Sequence, residues 1–162
     1  MMIVYPVGRS SQRLILETQV LEHFHVYQQR RWYQKESGGQ LFAQIEGDVI
    51  RVAEATGPRK TDKRSRFSYV ADRRTERQEI RDRYVQELHY VGDWHTHPER
   101  TPKPSSLDVE SIRECVRRST HRLNAFVLVV VGNAEFPEGL HVSIHDGQEA
   151  EALSAAKEIG PR

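Results

Sequence analysis

Gly92-Asp93-Trp94-His95-Thr96-His97-Pro98 and Ser105-Ser106-Leu107-Asp108, with seven residues between His97 and Ser105, decide how this chain is read. Tyr90 to His95 has the composition of a strand, and Pro98 ends it. At a strand end, residues i and i+2 share a face, roughly 7 Å apart along the backbone. Two imidazoles leaning inward from there can bring their nitrogens to about 2.0–2.1 Å from one zinc ion. Asp108, in the first turn of a helix that follows, can point back toward the strand end as a third ligand. Two histidines and one carboxylate leave the fourth tetrahedral position open, as in a catalytic rather than a structural zinc site.

Plainer readings compete. His23-Phe24-His25 has the same spacing, yet it falls on a predicted helix, where residues i and i+2 diverge. Ser105-x-x-Asp108 is also a capping-box-like pattern, with serine as N-cap and an acid at N3. A helix start alone accounts for that pattern. It does not account for the two histidines at this distance from it.

Working outward, Leu107 to Thr120 reads as an amphipathic helix with Leu107, Ile112, Cys115 and Val116 inward. Ala125 to Val131 (AFVLVVV) is an unbroken apolar run and reads as a strand buried on both faces. Leu140–His145 alternates and is expected to pair with it. Upstream, residues 1–9 read as an edge strand, because Pro6 cannot donate to a central ladder. Leu14, Val20, Leu21, Phe24 and Tyr27 recur at helical spacing, which predicts a helix over 11–29 capped by Ser10 or Ser11. Residues 40–46 and 49–55 read as a hairpin about Gly47-Asp48. Residues 57–66 read as a basic loop, with a short strand near 67–70. Residues 72–88 read as a charged helix with a narrow stripe of Ile80, Tyr84, Val85 and Leu88. Residues 148–162 read as an Ala-rich tail, helical or frayed. The order predicts an α/β fold, a mixed sheet flanked by helices, with one domain over 1–147.

Composition agrees with one domain. The chain has 162 residues, 29% of them charged, with a net charge of +1 that says nothing about partners. No uncharged apolar run approaches the 18 or so residues of a spanning helix. No charged n-region precedes an apolar stretch at the N-terminus. A cytoplasmic protein without membrane contact is expected. The single cysteine, Cys115, excludes an internal disulfide and a four-thiolate zinc site. It sits on the apolar helix face, as an inert core thiol.

His95-Thr96-His97, seven residues, then Ser105-x-x-Asp108 resembles the JAMM signature of the JAB/MPN metalloproteases, residue for residue. That family also needs an upstream glutamate, and Glu36 in Glu36-Ser37-Gly38-Gly39-Gln40-Leu41-Phe42 looks like it. The resemblance implies the MPN fold, related to cytidine deaminases, and a Zn2+ ion held by His95, His97 and Asp108. It implies Glu36 as the base that takes a proton from water and passes it to the leaving amine. It implies Ser105 as donor to the oxyanion. Apart from the family, Glu36 reads as a solvated loop acid. The short form with ESGGQLF and GDWHTHP is similar to the JAB proteins of bacterial anti-phage (CBASS-type) operons, with Ala43 where many relatives have glycine. The implied reaction is (iso)peptide cleavage after the C-terminal tail of a modifier conjugated in the manner of ubiquitin, a cGAS-like nucleotidyltransferase (CD-NTase). The implied partners are ubiquitin-activating-like and ubiquitin-conjugating-like enzymes.

Gly38 and Gly39 suit either a close backbone approach or a plain turn. Asp93 and Trp94 suit either a substrate groove or ordinary placement on the sheet. A cysteine protease built on Cys115 would need an exposed thiol near a base. A nucleic-acid-binding module rests on residues 59–83, with ten Lys/Arg against five Asp/Glu. The acids interleave over 72–83, so a solvated helix face is the stronger account. A non-catalytic MPN scaffold is the third alternative, though such members usually lack ligands that are all present here.

Overall fold

The computed structural model describes residues 1–118 and 125–156. Its elements are β1 (Ile3–Pro6), β2 (Arg13–Leu16), α1 (Thr18–Tyr27), β3 (Gly38–Glu46), β4 (Val49–Ala55), β5 (Lys63–Ser65), β6 (Ser68–Val70), α2 (Arg73–Tyr84), β7 (His89–Thr96), α3 (Ser106–Arg118), β8 (Phe126–Val131), β9 (Leu140–His145) and β10 (Ala150–Leu153). Eight strands form one mixed sheet in the order β1-β2-β4-β3-β7-β8-β9-β10, and β5 and β6 form a separate two-stranded hairpin. Strands β7 and β8 run parallel, joined through α3; β3 and β4 are antiparallel about Gly47, which takes φ +56° in the turn.

The apolar run behaves as its composition predicts. All six residues of β8 are buried. Val127, Val129 and Val131 join Val20, Leu21 and Phe24 of α1 in one core. Phe126, Leu128 and Val130 join Ile112 and Val116 of α3 in a second, on the other face. Strand β9 pairs with β8, as expected. Pro6 ends β1 at the sheet's edge.

Several expectations are corrected. The predicted helix 11–29 is two elements. Leu14-Ile15-Leu16 belongs to β2, which pairs in parallel with β4, so Leu14 met the helical spacing by coincidence. Ser10 and Ser11 cap no helix; Ser10 Oγ bonds the Val7 carbonyl and Ser11 Oγ bonds Asp48. In the basic loop 57–66, Lys63–Ser65 is a strand. In α2 no residue is buried, and Tyr84 of the supposed stripe is 68% exposed. Leu107 is 76% exposed. The inward face of α3 begins instead with Asp108, one turn before Ile112. The expected end of that helix at Thr120 lies outside the described residues, as do 157–162. Residues 150–153, expected as helical or frayed, form β10 on the outer side of β9. Beyond β10, the Ala156 N–H donates to the Val4 carbonyl at 2.7 Å, which brings the two ends of the sheet together.

Helix α2 packs on β3 and β7 through polar groups. Glu79 receives Arg59 through both carboxylate oxygens, and Thr56 Oγ1 donates to it at 2.7 Å. With its amide nitrogen turned toward α2, Gln40 donates to the Glu76 carbonyl and to Glu79 Oε2. Burial, and then the negative charge of Asp93, push the Glu76 carboxyl up to about 7. An unfolded glutamate titrates near about 4.3. A carboxyl raised on folding contributes stability that is complete below its unfolded value and lost as pH rises through its folded one. Thermal melts from pH 5 to pH 8 are therefore expected to fall for the wild type. Glu76→Gln is expected to melt higher than wild type at pH 8 and to show a flatter profile. Parallel profiles for the two proteins would reject this account.

Candidate metal centre

Strand β7 delivers the histidines. Trp94 and Thr96 turn toward the α1 face, where Trp94 meets Phe24 at 5.1 Å between ring centroids and donates to the Thr56 carbonyl. His95 turns the other way. His97 follows just past the strand, where its N–H still bonds the Val131 carbonyl of β8 at 2.9 Å. The two imidazoles lie 4.9 Å apart, centroid to centroid. By contrast, His23 bonds the Gly57 carbonyl and His25 the Gln28 side chain, two unrelated roles on α1.

Asp108 arrives from the first turn of α3. The Ser105 N–H donates to Asp108 Oδ2 at 2.7 Å, and the Asp108 N–H donates to Ser105 Oγ at 3.1 Å, a reciprocal capping box. The same Oδ2 lies 3.1 Å from His95 Nε2 and 3.3 Å from His97 Nε2. The helix cap and the histidine contact are thus one arrangement. Ser105 itself is exposed at the rim.

Glu36 comes from the segment entering β3, only 6% exposed. Single ligand atoms of Glu36, His95 and His97 all lie within 4.8 Å of one another. The structure therefore groups Glu36 with His95 and His97, and sets Asp108 against the two imidazoles, from three separate elements. His95 Nε2 meets Asp108 Oδ2 without hydrogen-bond alignment, and His97 Nδ1 is buried with no hydrogen-bond partner. The Nε2 atoms of both imidazoles face the Asp108 carboxylate, with Glu36 grouped beside the histidines, and imidazole and carboxylate donors together fit a divalent cation.

The electrostatics separate the two carboxyls. Burial pushes the Glu36 carboxyl above the usual range, against the opposing pull of His95 and His97. Burial acts on Asp108 in the same direction, but the His95 and His97 imidazoles against it outweigh that and hold the carboxyl far below the range. For His97, burial disfavours the charge and Asp108 more than compensates, so its pKa is raised.

Gly38 and Gly39 make a close approach, not a turn. A Cβ on Gly39 would stand 1.7 Å from the Thr56 carbonyl oxygen, and one on Gly38 2.7 Å from the Tyr69 ring. That side of the glycine pair is covered by Tyr69 and the chain at Thr56-Gly57. An open hollow lined by Gln44, Ile45, Glu46, Tyr84, Glu87 and His89 lies at the other end of β3 and β7 and contains none of the site residues. Asp93 accepts from Tyr90 Oη at 2.8 Å, and Tyr90 Oη lies 3.2 Å from Cys115 Sγ.

Sequence reasoning missed the supports of the site. Thr96, fully buried, accepts from the Ser37 N–H at 2.9 Å and donates to Gln29 Oε1 at 2.9 Å. The residue between the two histidines thus anchors the neighbour of Glu36. Arg64 on β5 bonds the Glu36 carbonyl and Ser37 Oγ. Much of the basic segment is likewise used internally: Arg59 on Glu79, Arg66 on the Trp32 carbonyl, Arg83 on Glu54.

A mixed sheet with Glu36, His95 and His97 grouped at one end of its central strands, Asp108 against the histidines, defines an α/β domain with a candidate metal site. Residues 18–144 match the family described as prokaryotic homologs of the JAB domain, and the chain belongs to that family. It is 29% identical over 101 residues to a CD-NTase/cGAS isopeptidase of Escherichia coli, covering 60% of this chain and 65% of that protein, just under two thirds of its length. It is 31% identical over 115 residues to a CD-NTase/cGAS isopeptidase of Vibrio cholerae, covering 68% of this chain and 70% of that one. In fold it is similar to the solution structure of a protein from Desulfitobacterium hafniense, with a TM-score of 0.59 at 17% identity over 85% of this chain and 87% of that one. No helix among the described residues is long and apolar enough to cross a membrane.

Proposed function

We propose that this chain is a zinc-dependent isopeptidase that releases a conjugated CD-NTase, a cGAS-like nucleotidyltransferase, from its targets. The observation that carries the reading is the grouping of Glu36, His95 and His97 within 4.8 Å of one another, with Asp108 Oδ2 against both imidazoles. The printed names of its relatives supply the substrate class. His95, His97 and Asp108 would hold the ion, because Asp108 stays ionised against both imidazoles. When bound there, zinc supplies Lewis acidity that acidifies water and polarises a carbonyl. Glu36, whose burial favours the protonated form, accepts the water's proton and delivers it to the leaving amine. Ser105 uses a lone pair in the helix cap, which leaves its hydroxyl proton to donate to the oxyanion. The bond broken joins the modifier's C-terminal carbonyl to the target's amine. Ubiquitin-activating-like and ubiquitin-conjugating-like enzymes would form that bond beforehand.

The test is a CD-NTase fused through its C-terminus to a reporter and incubated with the protein. Chelator-sensitive release at the junction is expected, restored by added zinc. An intact fusion alongside efficient cleavage of short unstructured peptides would instead indicate a general metallopeptidase.

A further inference from the structure

The base proposed above projects from a main chain that does not fix itself. Glu36 and Ser37 precede β3, so the sheet ladder begins only at Gly38. Two outside elements hold them. From the core side, Ser37 exchanges two hydrogen bonds with Thr96, N–H to Oγ1 at 2.9 Å and carbonyl from the Thr96 N–H at 2.8 Å. From the other side stands the β5–β6 hairpin. The Glu36 N–H donates to the Ser65 carbonyl at 2.7 Å. Arg64 Nε donates to the Glu36 carbonyl at 2.8 Å, and Arg64 Nη2 donates to Ser37 Oγ at 2.6 Å. The planar guanidinium thus spans the two residues on either side of the peptide bond that follows Glu36, a fork geometry that lysine cannot reproduce.

We infer that Arg64 is a positioning residue for the reaction, fixing the peptide that carries the Glu36 carboxyl against the two histidines. This rests on the function proposed above. Among the described residues, Thr96 hydrogen-bonds Ser37 and not the Glu36 main chain, and Ser65 bonds only the Glu36 N–H. Without Arg64, the Glu36 carbonyl loses its donor and the segment can rotate about the remaining bonds. Proton transfer is steep in geometry, and a displacement of about 1 Å costs on the order of 10²-fold in rate. Arg66 on the same hairpin bonds the Trp32 carbonyl instead, and its guanidinium packs on Phe67. It therefore serves as the control for loosening the hairpin in general.

The experiment compares wild type, Arg64→Ala, Arg64→Lys and Arg66→Ala as full-length zinc-loaded proteins on the reporter fusion. Amide exchange is followed by NMR in the same proteins without substrate. For Arg64→Ala, kcat is expected to fall about 10–100-fold. KM and zinc content should stay within about twofold of wild type, because neither a ligand nor a binding surface is removed. The Glu36 amide should exchange faster while the β8 amides do not change. Arg64→Lys should recover part of kcat, and added guanidinium should rescue Arg64→Ala. Arg66→Ala should keep kcat within about twofold of wild type. An unchanged kcat in Arg64→Ala, an equal loss in Arg66→Ala, or a loss that tracks zinc content would each overturn the inference. If the wild type does not cleave the fusion, the proposed substrate fails. The Glu36 exchange rate then decides the positioning claim alone, and an unchanged rate overturns it.

Discussion

Glu36→Gln is expected to lower kcat by about 10²–10⁴-fold and to leave the metal in place. Glutamine is nearly the shape of the glutamate it replaces, so the buried niche stays filled. The bonds from Ser65 and Arg64 reach the Glu36 main chain and do not depend on its side chain. What disappears is the ability to accept a proton. His95, His97 and Asp108 are untouched, so zinc content measured after extensive dialysis is expected to match the wild type. A Glu36→Gln enzyme that turns over near the wild-type rate would place the base elsewhere.

Asp108→Ala is expected to empty the site. One ion per chain in the wild type should fall toward none, and hydrolysis should fall at least as far as for Glu36→Gln. Asp108 Oδ2 faces both imidazoles and also receives the Ser105 N–H, so the variant loses a ligand and half of the capping box together. Loss of the cap costs about 1 kcal/mol and should appear as a lower melting temperature. Asp108→Asn separates the two effects. Its side-chain oxygen can still accept at the helix start, but the charge opposite the histidines is gone. Metal content should fall as for alanine while the melting temperature stays close to that of metal-free wild type. Full metal occupancy in Asp108→Asn would remove Asp108 from the ligand set.

Much of the site was legible because its spacing is local. His95 and His97 share a strand end, and Ser105 and Asp108 share a helix start, so each pair can be read within a few residues. Glu36 was legible only by resemblance. Nothing near it in sequence calls for a base, and the two histidines it meets lie 59 and 61 positions away. Arg64, Thr96 and Gln29 were not legible, since an arginine in a basic run or a threonine between two histidines declares no partner. In the fold, β8 and the β3–β4 hairpin followed from apolar runs and turn chemistry. The errors fell where an apolar spacing had two explanations. Leu14 fitted a helical stripe yet pairs across to Ile50 of β4. In α2 the contacts with the sheet include those of Glu76, Glu79 and Arg83, which have no apolar periodicity to read.

The hydrogen bond from Ala156 to Val4 has a consequence for how the protein is made. Strands β3, β4, β7 and β8, which hold His95 and flank Glu36 and His97, can pair as soon as residue 131 is available. The contact at Val4 must wait for a segment 152 residues later in the chain. Long-range closure of this kind is slow, because chain entropy is lost before the contact repays it. During synthesis, β1 therefore presents an unpaired outer edge while the interior of the sheet is already formed. Such an edge templates pairing with other chains. The interval before Ala156 reaches Val4 is when the nascent protein is most exposed to aggregation.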